Sequence, residues 1–244
     1  MQTYHLAQTD STNSVLRKLS ANGEAKNMAM VVADYQTAGR GQVGNKWESE
    51  AGKNLLMSIL LCPHQLDVRQ QYYLSMAVSV GIEKALRKYV DNVKIKWPND
   101  VYVGDKKLAG ILIENTLLGI NIATSIVGIG LNVNQTVFLS DAPNPVSIKQ
   151  LTSTDNNPLE IAETIRTEMI KALDKVDSQR FDDIIASYMQ ILYRNDGLPH
   201  TYCEPDGTPF QATIHHVEPD GHIHLIDEHN SERIYTFKEV EFII

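Results

Sequence analysis

The order in which strand-like and helical patterns follow one another limits the fold of this chain more than any other feature of its sequence. Strand-like segments recur between short turns, and Gly104-Asp105 is a hairpin turn signal between two of them. These segments are 30–35, 54–61, 93–96, 100–103, 107–114 and 119–129. Because they form hairpins with a few helices between them, the chain is predicted to be α+β rather than a doubly wound α/β sheet.

Apolar residues at helical spacing predict four helices, over 11–20, 68–90, 161–176 and 181–192, with loops at 141–145 and 156–158. From Leu198 the pattern changes to apolar–polar alternation, with turns at Asp206-Gly207 and Asp220-Gly221. Residues as far as Phe237 suit short strands of a small β-barrel or sandwich, which is too small to be very stable alone and should dock on the rest. The expected domains are therefore 1–195 and 196–244.

Composition narrows the classes of function. The formal net charge of −8 argues against bulk nucleic-acid binding, which needs a basic face, although it permits a local cationic pocket. Cys62 and Cys203 are too far apart in sequence to suggest a disulfide framework, and they fit a reducing cytosol. The N-terminus lacks a signal-peptide pattern, and no apolar run approaches ~20 residues, so a cytoplasmic protein without a membrane span is expected.

One segment is rich in glycine and positive charge: Gly39-Arg40-Gly41-Gln42-Val43-Gly44-Asn45-Lys46-Trp47. Glycine lets backbone N–H groups approach a ligand closely, and Arg40 and Lys46 add charge that suits an anionic small molecule. The segment is neither a Walker loop nor a GxGxxG motif that opens a helix. Taken alone, it favours a glycine-rich surface turn over a binding site.

Two lysines flank the predicted hairpin at Gly104. Lys96 begins Lys96-Trp97-Pro98-Asn99-Asp100, and Lys107 begins an apolar strand that contains Gly110. Such lysines can converge on phosphate as point charges, or they can extend to solvent from a sheet edge.

Polar side chains cluster at two further points. Ser11, Thr12 and Asn13 begin a helix. Ser11 suits either a helix cap or a binding role, whereas Thr12 and Asn13 exceed what a cap needs, and with Gln36 these residues could bind a polar ring in a cleft. Gly128 and Gly130 followed by Asn132 and Asn134 suit close approach to a nucleotide, or a bulge with turn asparagines.

Histidines are frequent near the C-terminus, at His215, His216, His222, His224 and His229. Because no cysteine or carboxylate spacing supports a structural zinc site, a solvated strand face is the favoured interpretation. No metal ligand is assigned from the sequence.

Together these motifs resemble the biotin protein ligase family, in a short form without the N-terminal DNA-binding domain. The resemblance rests on the Ser11, Gln36, Gly39-Arg40-Gly41, Lys96–Asp100, Lys107–Ile111 and Gly130–Asn132 motifs, and it covers roughly residues 3–135. It implies a catalytic domain with a mixed or antiparallel sheet and flanking helices, and a small C-terminal all-β domain. It also implies that biotin and ATP, with Mg²⁺, form biotinyl-5′-adenylate, and that a lysine of a biotin carboxyl carrier domain then takes the biotin.

The resemblance assigns roles to individual residues. The catalytic group comprises Lys107, Arg40, Lys96 and Asp100. Biotin contacts fall on Ser11, Thr12, Asn13, Gln36, Gly39, Arg40, Gly41, Gln42, Lys107 and Gly110. Nucleotide contacts fall on Arg40, Trp47, Asn99, Lys107 and Asn132. The glycine-rich loop is expected to close over the adenylate and exclude water.

Two departures from the family pattern carry expectations. Many relatives have a second arginine where this chain has Gln42, so retention of the adenylate is expected to be weaker. Regulatory relatives begin with a DNA-binding domain, for which the early Ser11 motif leaves no room, so no repressor function and no nucleic-acid partner are expected. The chain is expected to be a monomer or homodimer. The competing interpretations are a lipoate or octanoate protein ligase and a non-catalytic binding module.

Overall fold

Seven strands form the larger of two sheets in the computed structural model, which describes residues 1–42, 45–140 and 143–244. Their order across the sheet is β1-β2-β3-β7-β6-β5-β4. β1 and β2 are parallel, and the other neighbours are antiparallel, so the sheet is mixed and the α+β prediction is confirmed. The strands are β1 (Thr3–Leu6), β2 (Met30–Ala33), β3 (Leu55–Leu61), β4 (Val93–Lys96), β5 (Asp100–Val103), β6 (Lys106–Leu118) and β7 (Asn121–Leu131).

The long β6–β7 hairpin differs from its prediction at the turn. A strand was predicted to begin at Gly119, but this residue lies in the turn, with φ +63°, and β7 begins at Asn121. Glycine adopts positive φ without steric cost, which explains the residue type at this point. The longer hairpin brings Gly128 and Gly130 of β7 opposite Leu112 and Gly110 of β6.

The helices are α1 (Thr12–Ala21), α2 (Gln71–Leu86), α3 (Ile148–Thr152), α4 (Pro158–Asp177) and α5 (Phe181–Ile191). The helix predicted over 68–90 is shorter than expected, since residues 68–70 form a 3₁₀ turn capped by Asp67. The short α3 was not predicted from apolar spacing, and a capping box between Ser147 and Gln150 begins it. Among the described residues, no helix has the length and apolarity that crossing a membrane requires.

The second sheet is antiparallel and has the order β11-β10-β9-β8-β12. Its strands are β8 (His200–Cys203), β9 (Pro209–Val217), β10 (Ile223–Asp227), β11 (Glu232–Tyr235) and β12 (Glu241–Phe242). Phe237, which was predicted to suit a strand, lies instead in the turn that follows β11.

Contacts between the two sheets' regions fix the β9–β10 turn. The backbone N–H of Tyr72 donates to the carbonyl oxygen of Pro219 at 3.0 Å, and the indole Nε1 of Trp97 donates to that of Gly221 at 3.0 Å. Buried apolar side chains of both regions also form one continuous core. The expected docking is therefore observed, while the boundary between 195 and 196 stays a prediction. Cys62 and Cys203 are both free.

Candidate active site

A cavity of about 580 Å³ lies against β6, β7 and the loops around them, and segments of the C-terminal region complete its wall. This volume suits a small-molecule ligand. Most of the residues singled out in the sequence line it: Ser11, Thr12, Asn13, Gln36, Arg40, Gly41, Gln42, Trp47, Lys96, Asn99, Asp100, Lys107 and Gly110. Motifs that are up to a hundred residues apart in the chain therefore meet at one place.

The start of α1 forms a buried polar end of the cavity. The backbone N–H and the hydroxyl of Thr12 both donate to Gln36 Oε1, at 2.7 Å and 3.1 Å. The N-cap residue Ser11 makes no side-chain capping bond, so helix capping does not account for its hydroxyl. Ser58, which no sequence motif indicated, lies 2.7 Å from the Thr12 hydroxyl and 2.5 Å from Asn13 Oδ1. Its signal in the sequence is a lone serine within an otherwise apolar strand, and the structure buries it fully.

Glu114 links this polar end to the glycine-rich loop. It accepts a hydrogen bond from Asn13 Nδ2 at 2.7 Å, and its carboxylate lies 2.8 Å from Arg17 and 3.6 Å from Arg40. Partial burial acts to raise the pKa of Glu114, but these hydrogen bonds and positive charges outweigh it and hold the pKa below its ordinary value. Glu114 therefore stays ionised and can hold Arg40 at the edge of the cavity.

Gly128 leaves the room that Asn13 occupies. A Cβ atom at this position would overlap the amide of Asn13. The glycine is thus explained by a side-chain contact within the protein, which is an alternative to the predicted backbone contact with a nucleotide.

The two lysines of the hairpin converge on one carboxylate. Lys107 Nζ lies 2.7 Å from Asp100 Oδ1, and Lys96 and Asp100 are register partners between β4 and β5. Lys96 Nζ also lies 5.4 Å from the centre of the Tyr102 ring and 5.2 Å from that of Phe242.

Burial lowers the pKa of Lys96, Asp100 opposes this effect, and the charge of Lys107 adds to it. The two ammonium groups therefore act on each other across the cavity. This arrangement favours convergence on an anion over the alternative of lysines that extend to solvent.

The glycine-rich segment folds back on itself as a loop beside the cavity. The backbones of Arg40 and Lys46 form an isolated antiparallel β-bridge, and the backbone N–H of Trp47 donates to the carbonyl oxygen of Gly39 at 3.1 Å. Gly39 does not line the cavity, and a Cβ there would lie 2.9 Å from the Trp47 carbonyl oxygen, so glycine permits the closed loop. Val43 and Gly44 of the predicted loop lie outside the described residues, as do Asp141 and Ala142 of the later one.

Trp47 covers the sheet at Gly110 of β6 and Gly130 of β7. A Cβ on Gly130 would overlap its indole, and a Cβ on Gly110 would lie 3.1 Å from the ring. Trp47 Nε1 and Gln42 Oε1 are buried and have no hydrogen-bond partner among the described residues, although both residues line the cavity. A buried polar atom without a partner is costly, so a bound ligand or water would satisfy them.

The two asparagines expected to contact a nucleotide have partners within the protein. Asn99 Nδ2 donates to the carbonyl oxygen of Ile111 at 2.7 Å, and Asn132 Nδ2 donates to that of Val146 at 3.1 Å. Asn132 does not line the large cavity, but with Trp47 and Lys107 it lines an adjoining one of about 340 Å³. Nucleotide contact by these residues stays a prediction.

The C-terminal region contributes to the cavity through residues that the sequence did not indicate. They are Cys203, Glu204, Pro205, Gly207 and residues 237–242. Glu204 is held by Arg233 at 2.8 Å and by the Tyr235 hydroxyl at 2.6 Å. No local motif marks these positions, because their role depends on the docking of the second sheet.

The C-terminal histidines differ from the predicted solvated face at one position. His224 is only 5% exposed, whereas His215 and His229 are exposed. Glu218 and Glu232 lie beside His224, at 3.2 Å and 2.9 Å. Sequence spacing did not indicate these carboxylates because Glu218 comes from the turn after β9 and Glu232 from β11, and only the pairing of both strands with β10 brings them to His224.

A family model described as the biotin/lipoate A/B protein ligase family matches residues 5–132, which is more than half of the chain. The biotin–[acetyl-CoA-carboxylase] ligase of Paracoccus denitrificans is 31% identical over 186 residues, covering 73% of this chain and 76% of that protein. The chain belongs to the biotin/lipoate A/B protein ligase family.

Two further relatives define the extent of the likeness. The bifunctional ligase/repressor BirA of Escherichia coli is 41% identical over 125 residues, which are 51% of this chain but 38% of that protein's length. The biotin protein ligase of Aquifex aeolicus, solved with biotin and ATP, has a TM-score of 0.79 at 23% identity and covers 98% of this chain and 97% of that one. The second comparison identifies the ligase fold across nearly the whole chain.

Proposed function

We propose that this chain is an ATP-dependent biotin protein ligase, that is, a biotin–[acetyl-CoA-carboxylase] ligase. The observation that carries the proposal is the junction in the large cavity between a buried polar end and a cluster of cations. Thr12, Asn13 and Gln36 stand at the polar end, and Lys107 and Lys96 stand beside Asp100. Relatives named as biotin ligases support the same substrate.

The first step joins two anions, the biotin carboxylate and ATP, which repel each other. The cations of the cavity would reduce this repulsion. An oxygen of the biotin carboxylate attacks the α-phosphorus of ATP, the bond to the β-phosphate oxygen breaks, and pyrophosphate leaves. Lys107 and Arg40 would offset the repulsion between carboxylate and triphosphate, and their charges would stabilise the negative charge in the transition state. Lys96, the register partner of Asp100 on the neighbouring strand β4, would add a further positive charge.

The polar end would select biotin. The ureido head of biotin offers both donors and acceptors, which hydroxyl and amide side chains at Ser11, Thr12, Asn13 and Gln36 can match. Trp47 and the adjoining sheet would cover the apolar ring and chain. The loop from Gly39 would then exclude water from the mixed anhydride.

The second step transfers the acyl group to a carrier domain. The amine of an acceptor lysine attacks the acyl carbon, AMP leaves, and the nitrogen loses a proton. Asp100 is a candidate for orienting that amine or accepting its proton, although it is held by Lys107 at 2.7 Å before substrates bind. The acceptor is proposed to be the biotin carboxyl carrier domain of a biotin-dependent carboxylase in the cytoplasm.

Mg²⁺ is proposed to enter with ATP. Asp100, Glu204, Glu239 and Glu241 line the cavity, but among the described residues no three of these carboxylates converge within ligand distance of one another. This donor set fits an ion that keeps several waters and is held mainly by phosphate oxygens, with one or two carboxylates at most. When bound, the ion would neutralise part of the triphosphate charge.

Lipoate or octanoate is the competing substrate, because the family model includes ligases for lipoate. Neither molecule has a ureido head, so neither would need the four polar residues at the end of the cavity. Incubation with ATP and Mg²⁺ and either biotin or lipoate, followed by mass spectrometry, tests the choice. We expect biotinyl-5′-adenylate and no lipoyl-adenylate, and the reverse result would reject the proposal.

A further inference from the structure

A second cluster of potential ligand atoms lies on the C-terminal sheet and contributes to neither cavity. It comprises His216 on β9, Glu218 in the turn that follows, and His224 on β10. One ligand atom from each lies within 4.8 Å of the other two. The cluster has no role in the ligase chemistry proposed above, so it needs a separate explanation.

A β-bulge directs the two histidines toward each other. His224 pairs with His216 and Leu225 pairs with Ile214, which leaves His215 as the extra residue of β9. A bulge redirects side chains and interrupts the alternation of faces. As a result, the imidazole rings of His216 and His224 stack, with their centres 4.0 Å apart and their planes at 22°.

Backbone hydrogen bonds hold Glu218 beside the two histidine rings. Its N–H donates to the carbonyl oxygen of His222 at 2.9 Å, and its own carbonyl oxygen accepts from the N–H of Gly221 at 3.0 Å. The Glu218 carboxylate lies 3.2 Å from His224 Nε2 and 3.9 Å from His216 Nε2. The carboxylate therefore faces both rings.

Glu232 orients the buried ring. Its carboxylate lies 2.9 Å from His224 Nδ1, and because an ionised carboxylate can only accept a hydrogen bond, Nδ1 carries the proton. In a neutral ring, Nε2 then presents a lone pair. That nitrogen is buried and lacks a hydrogen-bond partner among the described residues, although it faces the Glu218 carboxylate.

His224 Nε2 and the Glu218 carboxylate are both acceptors, and they face each other, so a positive charge is needed between them. A histidine whose other nitrogen donates to a carboxylate is the common arrangement of a metal-bound imidazole. The alternative is a proton on both nitrogens of His224, which would place an imidazolium between two glutamates.

We propose that His216, Glu218 and His224 bind one divalent first-row transition ion, with Zn²⁺ as the representative, and that Glu232 positions His224 for it. Tetrahedral ligands at the usual Zn–N and Zn–O lengths are about 3.3 Å apart. The 3.2 Å distance between Glu218 and His224 already fits this spacing, and the 3.9 Å distance between Glu218 and His216 would shorten when the ion binds between these two partly exposed side chains.

The chemistry of the three ligands selects the class of ion. Imidazole nitrogens with one carboxylate favour Zn²⁺, Ni²⁺ or Cu²⁺ over Mg²⁺ and Ca²⁺. The bound ion would join β9, the β9–β10 turn and β10, and water would complete its coordination.

Titration of the full-length, chelator-treated protein with Zn²⁺ in competition with a chromophoric chelator tests the proposal. We expect one tight equivalent per chain and no comparable binding of Mg²⁺. The variants His216→Asn and Glu218→Gln should each weaken binding at least about 10-fold, and Glu232→Gln about 10- to 100-fold. His229→Asn is the matched control, because this exposed histidine lies outside the cluster and should leave the affinity unchanged.

A spectroscopic measurement on the unmodified chain removes dependence on the variants' folding. Bound Co²⁺ should give visible absorption bands typical of nitrogen and oxygen ligands in a four- or five-coordinate site, and Zn²⁺ should displace them. The proposal is overturned if the wild-type protein binds no Zn²⁺ tightly, or if His216→Asn and Glu218→Gln, once shown to be folded, bind it as well as His229→Asn. The first result would instead favour the imidazolium form of His224.

Discussion

Lys107 occupies the position where a cation matters most for the proposed chemistry. It is about three-quarters buried, it lies 2.7 Å from Asp100, and it faces the Trp47 ring at 6.0 Å. Its neighbour Lys106 is exposed and does not line the cavity. Comparison of variants at these two adjacent lysines therefore distinguishes a loss of charge in the cavity from a loss of charge on the surface.

Lys107→Ala should fold normally and lose at least about 100-fold in the rate of adenylate formation, since it removes a charge that stabilises the transition state. Single-turnover release of pyrophosphate in the presence of biotin measures this step. Lys106→Ala should retain the wild-type rate. Normal pyrophosphate release by folded Lys107→Ala would reject the role assigned to this residue.

Gln42 is the position at which the sequence resemblance predicts that the loop departs from the family pattern. Its buried Oε1 lacks a partner among the described residues, and the residue lines the large cavity. An arginine there would add a cation and a fork of donors for phosphate. We expect Gln42→Arg to slow release of biotinyl-5′-adenylate about 10-fold or more, as measured by chase with unlabelled biotin. Equal release rates for the two proteins would contradict this expectation.

At the scale of elements, hairpin turns and long amphipathic helices were predictable, because each depends on local turn residues or local periodicity. The exact β6–β7 turn and the short α3 were not, since a single glycine and a single capping box set them. The two glycines under Trp47 illustrate a further limit. Glycine suits these positions because the indole of a loop residue more than sixty positions earlier in the chain packs against them.

Helix α2 offers a test of packing that is independent of the site. A Cβ on Gly81 would lie 2.7 Å from the Cα of Met169 on α4, so the two helices can approach this closely only at a glycine. Gly81→Ala should lower the free energy of unfolding by about 1–3 kcal/mol through overpacking. Lys84→Ala, at an exposed position of the same helix, should change it by less than about 0.5 kcal/mol. Urea unfolding measures both, and equal stability of the two variants would contradict the packing described here.

At the scale of the whole molecule, the second sheet is part of the cavity rather than an appendage beside it. Glu204 and residues 237–242 line the same space as Lys107 and Arg40. The sequence motifs identified the N-terminal part of this site because they are compact and chemically distinctive. The C-terminal part could not be identified in that way, since its residues become neighbours of the motifs only through the packing of the second sheet's region against the first.

The proposed function requires that this cavity activate biotin with ATP. Biotin-dependent exchange of labelled pyrophosphate into ATP by the purified chain tests it most directly, because the exchange requires reversible formation of the adenylate and no acceptor protein. We predict exchange that requires biotin and Mg²⁺ and that lipoate does not support. Absence of biotin-dependent exchange in a folded, active-site-intact preparation would contradict the proposed function.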